Sequence, residues 1–181
     1  PLKYHRNNLE GVMAVAAAMQ RHGVAPIVFS STAAVYGEPE TVPIPENHPL
    51  RPENPYGSSK MACERVLSDI AAAGQLRYAA LRYFNAAGAD PHGEIGEAHV
   101  PETHLIPLAV RAVRDPGFTL DVFGQDFPTR DGTAVRDYIH VDDLADAHVR
   151  ALERLLRGAP ALALNLGTGT GTSVREVIDA C

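Results

Sequence analysis

Two hydrophobic periods alternate along this chain, and that alternation limits the folds open to it. Residues 4–22 set Leu9, Val12, Met13, Ala16 and Met19 at helical spacing, with Gly23 as a natural stop. "APIVFSST" then reads as a short apolar strand ending in small hydroxyl residues. Residues 56–73 read as a helix, "RYAALRYF" as a strand, and 104–114 as a helix with Pro107 in its first turn, where proline is tolerated. "TLDVFG" reads as a strand, and "DFPTRDGTAVRDYIHV" as a loop with a short extended piece. Residues 142–157 form a helix opened by aspartates, as its dipole prefers. "LALNLG" is a further strand, and "TSVREVIDAC" opens a helix with a capping box from Ser173 to Glu176. Strands alternating with helices predict an α/β fold with a largely parallel sheet. Ligands of such sheets gather beyond the carboxyl ends of the strands. "SST" and "FNAAG" stand at those ends.

Two connections are longer than usual. Residues 37–55 hold six prolines, and 85–103 ("NAAGADPHGEIGEAHVPET") are rich in small and polar residues. Long ordered loops tend to carry function.

The totals exclude several classes. At 181 residues, 45% hydrophobic and 21% charged, the composition is that of an ordinary globular domain. A net charge of -6 leaves no basic footprint for nucleic acid. No apolar run approaches the ~18 residues of a membrane span. The two cysteines, Cys63 and Cys181, are far apart, so a reducing cytoplasm is expected rather than a disulfide framework. The sequence starts at Pro1 and stops at Cys181, each inside a helical pattern, which leads us to expect an internal piece of a longer chain.

"NPYGSSK" carries the chemistry. Tyr56 and Lys60 lie four residues apart, on one helical face. A free phenol, with a pKa near ~10, is a poor base at neutral pH. A nearby ammonium favours the phenolate and is expected to lower that value. A phenol so tuned takes a proton from an alcohol while hydride leaves the same carbon. Lysine's remaining N–H groups can hold a cofactor ribose. The Tyr-x-x-x-Lys spacing alone is common, but the hydroxyl triplet Ser30-Ser31-Thr32 precedes it at a strand end.

"FSSTAAVYG", "PYGSSK", "LRYFNAAGA" and "DGTAVRDYIHVDDLADAH" together resemble the UDP-glucose 4-epimerases, of the extended short-chain dehydrogenase/reductase family. The resemblance covers essentially the whole chain. It implies a Rossmann-like doubly wound parallel sheet lacking its N-terminal strands, with part of a smaller C-terminal substrate-binding domain. The division implied is residues 1–85 for the NAD-binding domain and 86–181 mainly for the UDP-sugar region, with returns to the Rossmann sheet. The implied reaction, part of galactose metabolism, interconverts UDP-glucose and UDP-galactose through a 4-keto sugar, with NAD as cofactor. Tyr56 corresponds to the catalytic base, Lys60 to the ribose ligand and modulator of the phenol, and Thr32 to the catalytic hydroxyl. Asn7, Ser30, Ser31 and Tyr83 fall on the cofactor side. Asn85, His104, Leu105, Val122, Phe123 and Arg136 fall where the family binds the UDP-sugar, Arg136 on the diphosphate. Many relatives carry Asn where this chain has His104. The helices 4–22 and 58–73 resemble the pair that builds the family's homodimer interface.

Departures from the pattern set limits. The family's G-x-x-G-x-x-G cofactor fingerprint is absent, and "LGTGTGTS" has the wrong spacing, so it is expected to be a turn rather than a phosphate cradle. The isolated piece is therefore expected to be inactive, and a sheet without its first strands to be poorly soluble. Other nucleotide-sugar 4-epimerases and dehydratases share the Tyr/Lys pair. The dehydratases usually follow the hydroxyl with acidic residues, whereas Ala33 and Ala34 follow Thr32 here. A non-catalytic relative is the third reading, weakened by the intact Tyr56, Lys60, Thr32 and Arg136. No metal site is expected, because the spacing of His92, His99 and His104 fits no zinc pattern. His140 is expected in the core, and Asp142, Asp143 and Asp146 as dipole partners of their helix.

Overall fold

The structure, a computed structural model, describes residues 1–181. These divide into two compact units, residues 1–84 with 143–166 and residues 85–142 with 167–181.

The first unit opens with a helical run: α1 (Leu2–Tyr4), a π-helical segment (His5–Glu10) and α2 (Gly11–His22). The periodicity anticipates the helix but not the π segment, whose wider turn leaves no mark on apolar spacing. Gly23 ends α2 in the left-handed region at φ 67°, where the Val24 amide bonds back to Met19. β1 (Pro26–Thr32) runs into a 3-10 turn (Ala33–Val35), and α3 (Pro55–Ala72) follows the proline-rich loop. Asn54 caps α3 by accepting from the Gly57 amide at 2.8 Å, and Pro55 takes the first helical position. β2 (Arg77–Tyr83) completes this part of the unit.

β1 and β2 pair in parallel from Pro26 with Arg77 to Thr32 with Tyr83. β2 pairs in parallel with a later strand, Ala79 with Leu162 through Tyr83 with Leu166. Successive side chains of a strand face opposite sides, so β2 serves two cores. Ala80 packs with Phe29, Ala16, Cys63, Leu67 and Leu76 under α2 and α3. Ala79 and Leu81 pack with Ala151 and Leu155 on the other face. Leu67 and Leu155 are fully buried, each contributing about 1.5–3 kcal/mol by removal from water.

The second unit holds β3 (Asn85–Ala87), α4 (Leu105–Arg114) and β4 (Val135–His140). α5 (Val141–Leu156) and β5 (Leu162–Leu166) return the chain to the first unit, β5 being the strand beside β2. β6 (Gly171–Ser173) and α6 (Val174–Ala180) complete the second unit. β3 runs parallel to β4 and β6 antiparallel to it.

Several expectations are corrected here. "TLDVFG" forms no strand: Val122 is half-buried and Phe123 is 86% exposed, and an alternating pattern builds a ladder only where a partner strand lies alongside. "VRDYIH" is a full strand rather than a short extended piece in a loop, and β3 and β6 form where the sequence suggests a loop and a helix start. His140 is exposed, not core, its Nδ1 accepting from the Asp142 amide at 3.2 Å. No helix is long and apolar enough to cross a membrane.

Candidate active site

In the first unit, the carboxyl end of β1 meets the first turn of α3. The approach depends on Gly57: a Cβ there would lie 2.4 Å from the Ala34 carbonyl oxygen. Tyr56 is thereby brought beside Thr32, whose Oγ1 also accepts from the Ala34 amide at 3.2 Å. Lys60 reaches back one turn to donate from Nζ to the Ser30 carbonyl at 2.9 Å. Its ammonium lies 5.0 Å from the centre of the Phe29 ring and 5.8 Å from that of Tyr56. The structure thus brings together Thr32, Tyr56 and Lys60.

The electrostatics correct one expectation. Tyr56 stands above its ordinary pKa, chiefly because burial disfavours the phenolate and secondly because Tyr83 is close; the neighbouring Thr32 hydroxyl opposes this. The shift is upward although the Lys60 ammonium stands 5.8 Å from the ring centre, and burial pulls that ammonium below its own ordinary value.

The three hydroxyls of "SST" part company. Ser31, expected on the cofactor side, is wholly buried and donates to Glu64 Oε1 at 2.5 Å. Glu64 forms a bidentate pair with Arg82, from Nε at 3.0 and 3.2 Å and from Nη2 at 2.6 Å. Arg82 also donates to the Tyr36 hydroxyl at 2.9 Å and the Glu46 carbonyl at 3.2 Å. Tyr36 passes the chain on to Asn165 Oδ1 at 2.7 Å, and Asn165 holds the Ile44 carbonyl at 2.7 Å. This network pins the proline-rich loop to the strand ends. Hydrogen bonds to Glu64 and Tyr36 lift the Arg82 pKa even against its burial.

Ser30 is committed too. The His148 Nδ1 lies 2.7 Å from the Leu144 carbonyl, so that nitrogen carries the proton and Nε2 accepts from the Ser30 hydroxyl at 2.9 Å. Reading the sequence missed His148. A signal existed: with Leu144, Ala151 and Leu155 it lies on the inward face of α5. Tyr83 packs near the His148 ring, 6.3 Å between centres. Asn7 is exposed and lines a cleft of about 240 Å3 together with Val15, Ile27, Phe29 and Lys60.

In the second unit, Asn85 is exposed on β3, in register with Tyr138. Arg136, on β4 opposite Thr172, is exposed and donates to its own neighbour, the Val135 carbonyl, at 2.8 Å. Leu105 begins α4, and His104 precedes it as the N-cap residue. The His104 Nδ1 lies 2.8 Å from carboxylate oxygens of both Glu97 and Glu102. The glycine-rich turn is filled from within: Asp137 accepts from the Thr168 amide at 2.9 Å, the Thr168 hydroxyl at 2.8 Å and the Gly169 amide at 2.8 Å. The amides a phosphate would need are therefore taken by a side-chain carboxylate, as a structural turn requires.

Comparison with known proteins follows the same lines. The family model described as "NAD dependent epimerase/dehydratase family" matches residues 1–167. A UDP-glucose 4-epimerase of Rhizobium leguminosarum bv. trifolii is 56% identical over 99% of this chain and 55% of its own length. The crystal structure of UDP-glucose 4-epimerase from Brucella ovis in complex with NAD is similar, with a TM-score of 0.93 at 50% identity, covering 99% of this chain and 55% of that one. The Bifidobacterium longum enzyme in complex with NAD+ and UDP gives a TM-score of 0.86 at 41% identity, covering 99% and 54%. The chain spans about half the length of the curated relatives it matches.

Proposed function

The chain belongs to the NAD dependent epimerase/dehydratase family, and from that premise we propose that the full-length protein is an isomerase that interconverts UDP-glucose and UDP-galactose at C4 of the sugar. The observation that carries the reading is the Tyr56 phenol beside the Thr32 hydroxyl, with the Lys60 ammonium one helical turn away. Relatives of this name at 55–56% identity support it.

The cleft beside Lys60 fits the ribose end of NAD. Lys60 spends one of its three N–H groups on the Ser30 carbonyl, leaving donors for a diol, and Asn7 lines the same cleft. The G-x-x-G-x-x-G turn that would hold the diphosphate is not among residues 1–181. Bound there, NAD supplies hydride acceptance and return and, when oxidised, a positive charge that favours the phenolate.

Thr32 holds the sugar 4-oxygen by hydrogen bond, and Tyr56 Oη takes and returns its proton. Lys60 would hold the ribose of bound NAD through its free N–H groups, and Tyr83 would stand on the cofactor side. Arg136 is exposed and suits a diphosphate through its guanidinium fork. Asn85 contacts the sugar, and His104, Leu105, Val122 and Phe123 the uridine. Ser30 and Ser31, on the cofactor side, also hold the strand end through His148 Nε2 and Glu64 Oε1. The enzyme works in the cytoplasm, in keeping with two free cysteines, and pairs through residues 4–22 and 58–73, where Tyr4 and Met13 stand exposed.

Tyr56→Phe in the full-length protein tests the reading. Loss of a general acid–base group lowers turnover of UDP-galactose by about 10²–10⁴-fold, with UDP binding retained. Undiminished turnover overturns the mechanism.

A further inference from the structure

We infer that Glu97, His99, Glu102 and His104 form a binding site for a divalent transition cation of the zinc class. Their four ligand atoms, two carboxylate oxygens and two imidazole nitrogens, all lie within 4.8 Å of one another. The His99 and His104 Nδ1 atoms are each 2.8 Å from Glu97 Oε1, and the His104 Nδ1 is also 2.8 Å from Glu102 Oε1.

Hydrogen bonding alone accounts poorly for this convergence. A neutral imidazole has one N–H, so His104 Nδ1 satisfies one of its two carboxylates and not both. Glu97 and Glu102 bring two negative charges to the same point, and their ion-pair partners are these histidines alone. One cation held among the four groups resolves both problems.

The set also has the right chemistry. Imidazole nitrogen with carboxylate oxygen suits zinc and its neighbours rather than calcium or magnesium, which take oxygen. Tetrahedral zinc with bonds of about 2.0–2.2 Å sets its ligand atoms about 3.3–3.6 Å apart, so small side-chain movements complete the shell. One arm is already held: the Thr103 and His104 amides donate to Glu102 Oε1 at 2.7 and 2.8 Å. The spacing Glu-x-His-x-x-Glu-x-His wraps the ion with one short stretch, which ends where α4 begins. The expectation of no metal rested on histidines alone; half of the donors here are glutamates. Binding would staple the end of the loop 88–104 and fix the His104 ring.

The test is titration of the full-length protein, stripped with a chelator, with Zn2+ alone against a competing chromophoric chelator. One equivalent per chain is expected to bind. Loss of a partner outside the metal shell costs about 10–100-fold in affinity, and loss of a direct ligand costs no less. The double variant His99→Ala/His104→Ala is therefore expected to lose at least 100-fold, and Glu97→Gln/Glu102→Gln, which keeps the loop's shape, to fall likewise. Co2+ is expected to give tetrahedral visible absorption in the parent and in His92→Ala, and none in either double variant. Absence of a bound equivalent at tenfold excess Zn2+ overturns the inference. So does an equivalent that survives both double variants, which would assign the ion to an adventitious position such as Cys181.

Discussion

The two units are held together by different physics. The first is a layered α/β body in which β2 divides its side chains between two apolar cores, and each of its buried polar side-chain atoms has a hydrogen-bond partner. In the second, three-residue strands, a capped helix and carboxylates that gather nearby hydroxyls and amides do much of the same work. Asp131 accepts from the Thr133 amide and hydroxyl and from the Ser173 hydroxyl, and Arg130 pairs with Glu176. Large apolar side chains such as Ile95, Val100 and Phe123 remain exposed there. Packing carries the part that bears Tyr56 and Lys60, and local polar clamps carry the other.

The sharpest way to break this contrast is to unbalance the one charged pair inside the first unit. Arg82→Met leaves Glu64 buried with only the Ser31 hydroxyl as a side-chain partner, and loss of one member of such a pair costs about 3–5 kcal/mol. Urea unfolding measures it. The companion variant Glu64→Leu/Arg82→Met removes the orphaned charge and is expected to recover most of the loss; equal stability of single and double variants would refute the account.

A smaller effect is expected from the second unit. Ser173→Ala removes the cap of α6, for which about 1 kcal/mol is usual. Amide exchange is expected to accelerate in α6 and β6 but not in β1 or β2. The mildest perturbation is acid. Asp131 is held down to about 2, first by the Ser173 hydroxyl and then by Thr133. A depressed carboxyl stabilises the fold above its ordinary pKa, and that contribution is lost as pH falls from about 4 through about 2. The Thr133 amide resonance is expected to report the loss in that window, while the Leu81 amide, in the apolar layers, is unaffected by this group.

What the sequence disclosed follows the same division. β1, α3, β2, α5 and β5 announce themselves because their period and their end signals agree, as with Asn54 and Pro55 before α3 or Gly23 after α2. β3 and β6 do not, since three residues show no period and their pairing depends on β4, dozens of positions away. "TLDVFG" has the period without the partner. Within the candidate site, spacing along one helix places Tyr56 and Lys60 together. The duties of Ser30 and Ser31 are hidden because their partners lie 118 and 33 residues away. The sign of the Tyr56 shift is hidden for a related reason: burial depends on the whole unit, whereas spacing reports only Lys60.

Asp137 in the glycine-rich turn has a consequence for traffic with the surrounding solution. A tethered group competes at an effective concentration of millimolar or above, higher the more rigidly it is held. Asp137 sits on β4, a strand anchored on both sides, and it occupies the turn at that advantage. Free phosphate and nucleotides at ordinary metabolite levels would have to displace a ligand that never diffuses away. The glycines keep the turn's shape, and the carboxylate keeps it from acting as a second anion trap on the same molecule.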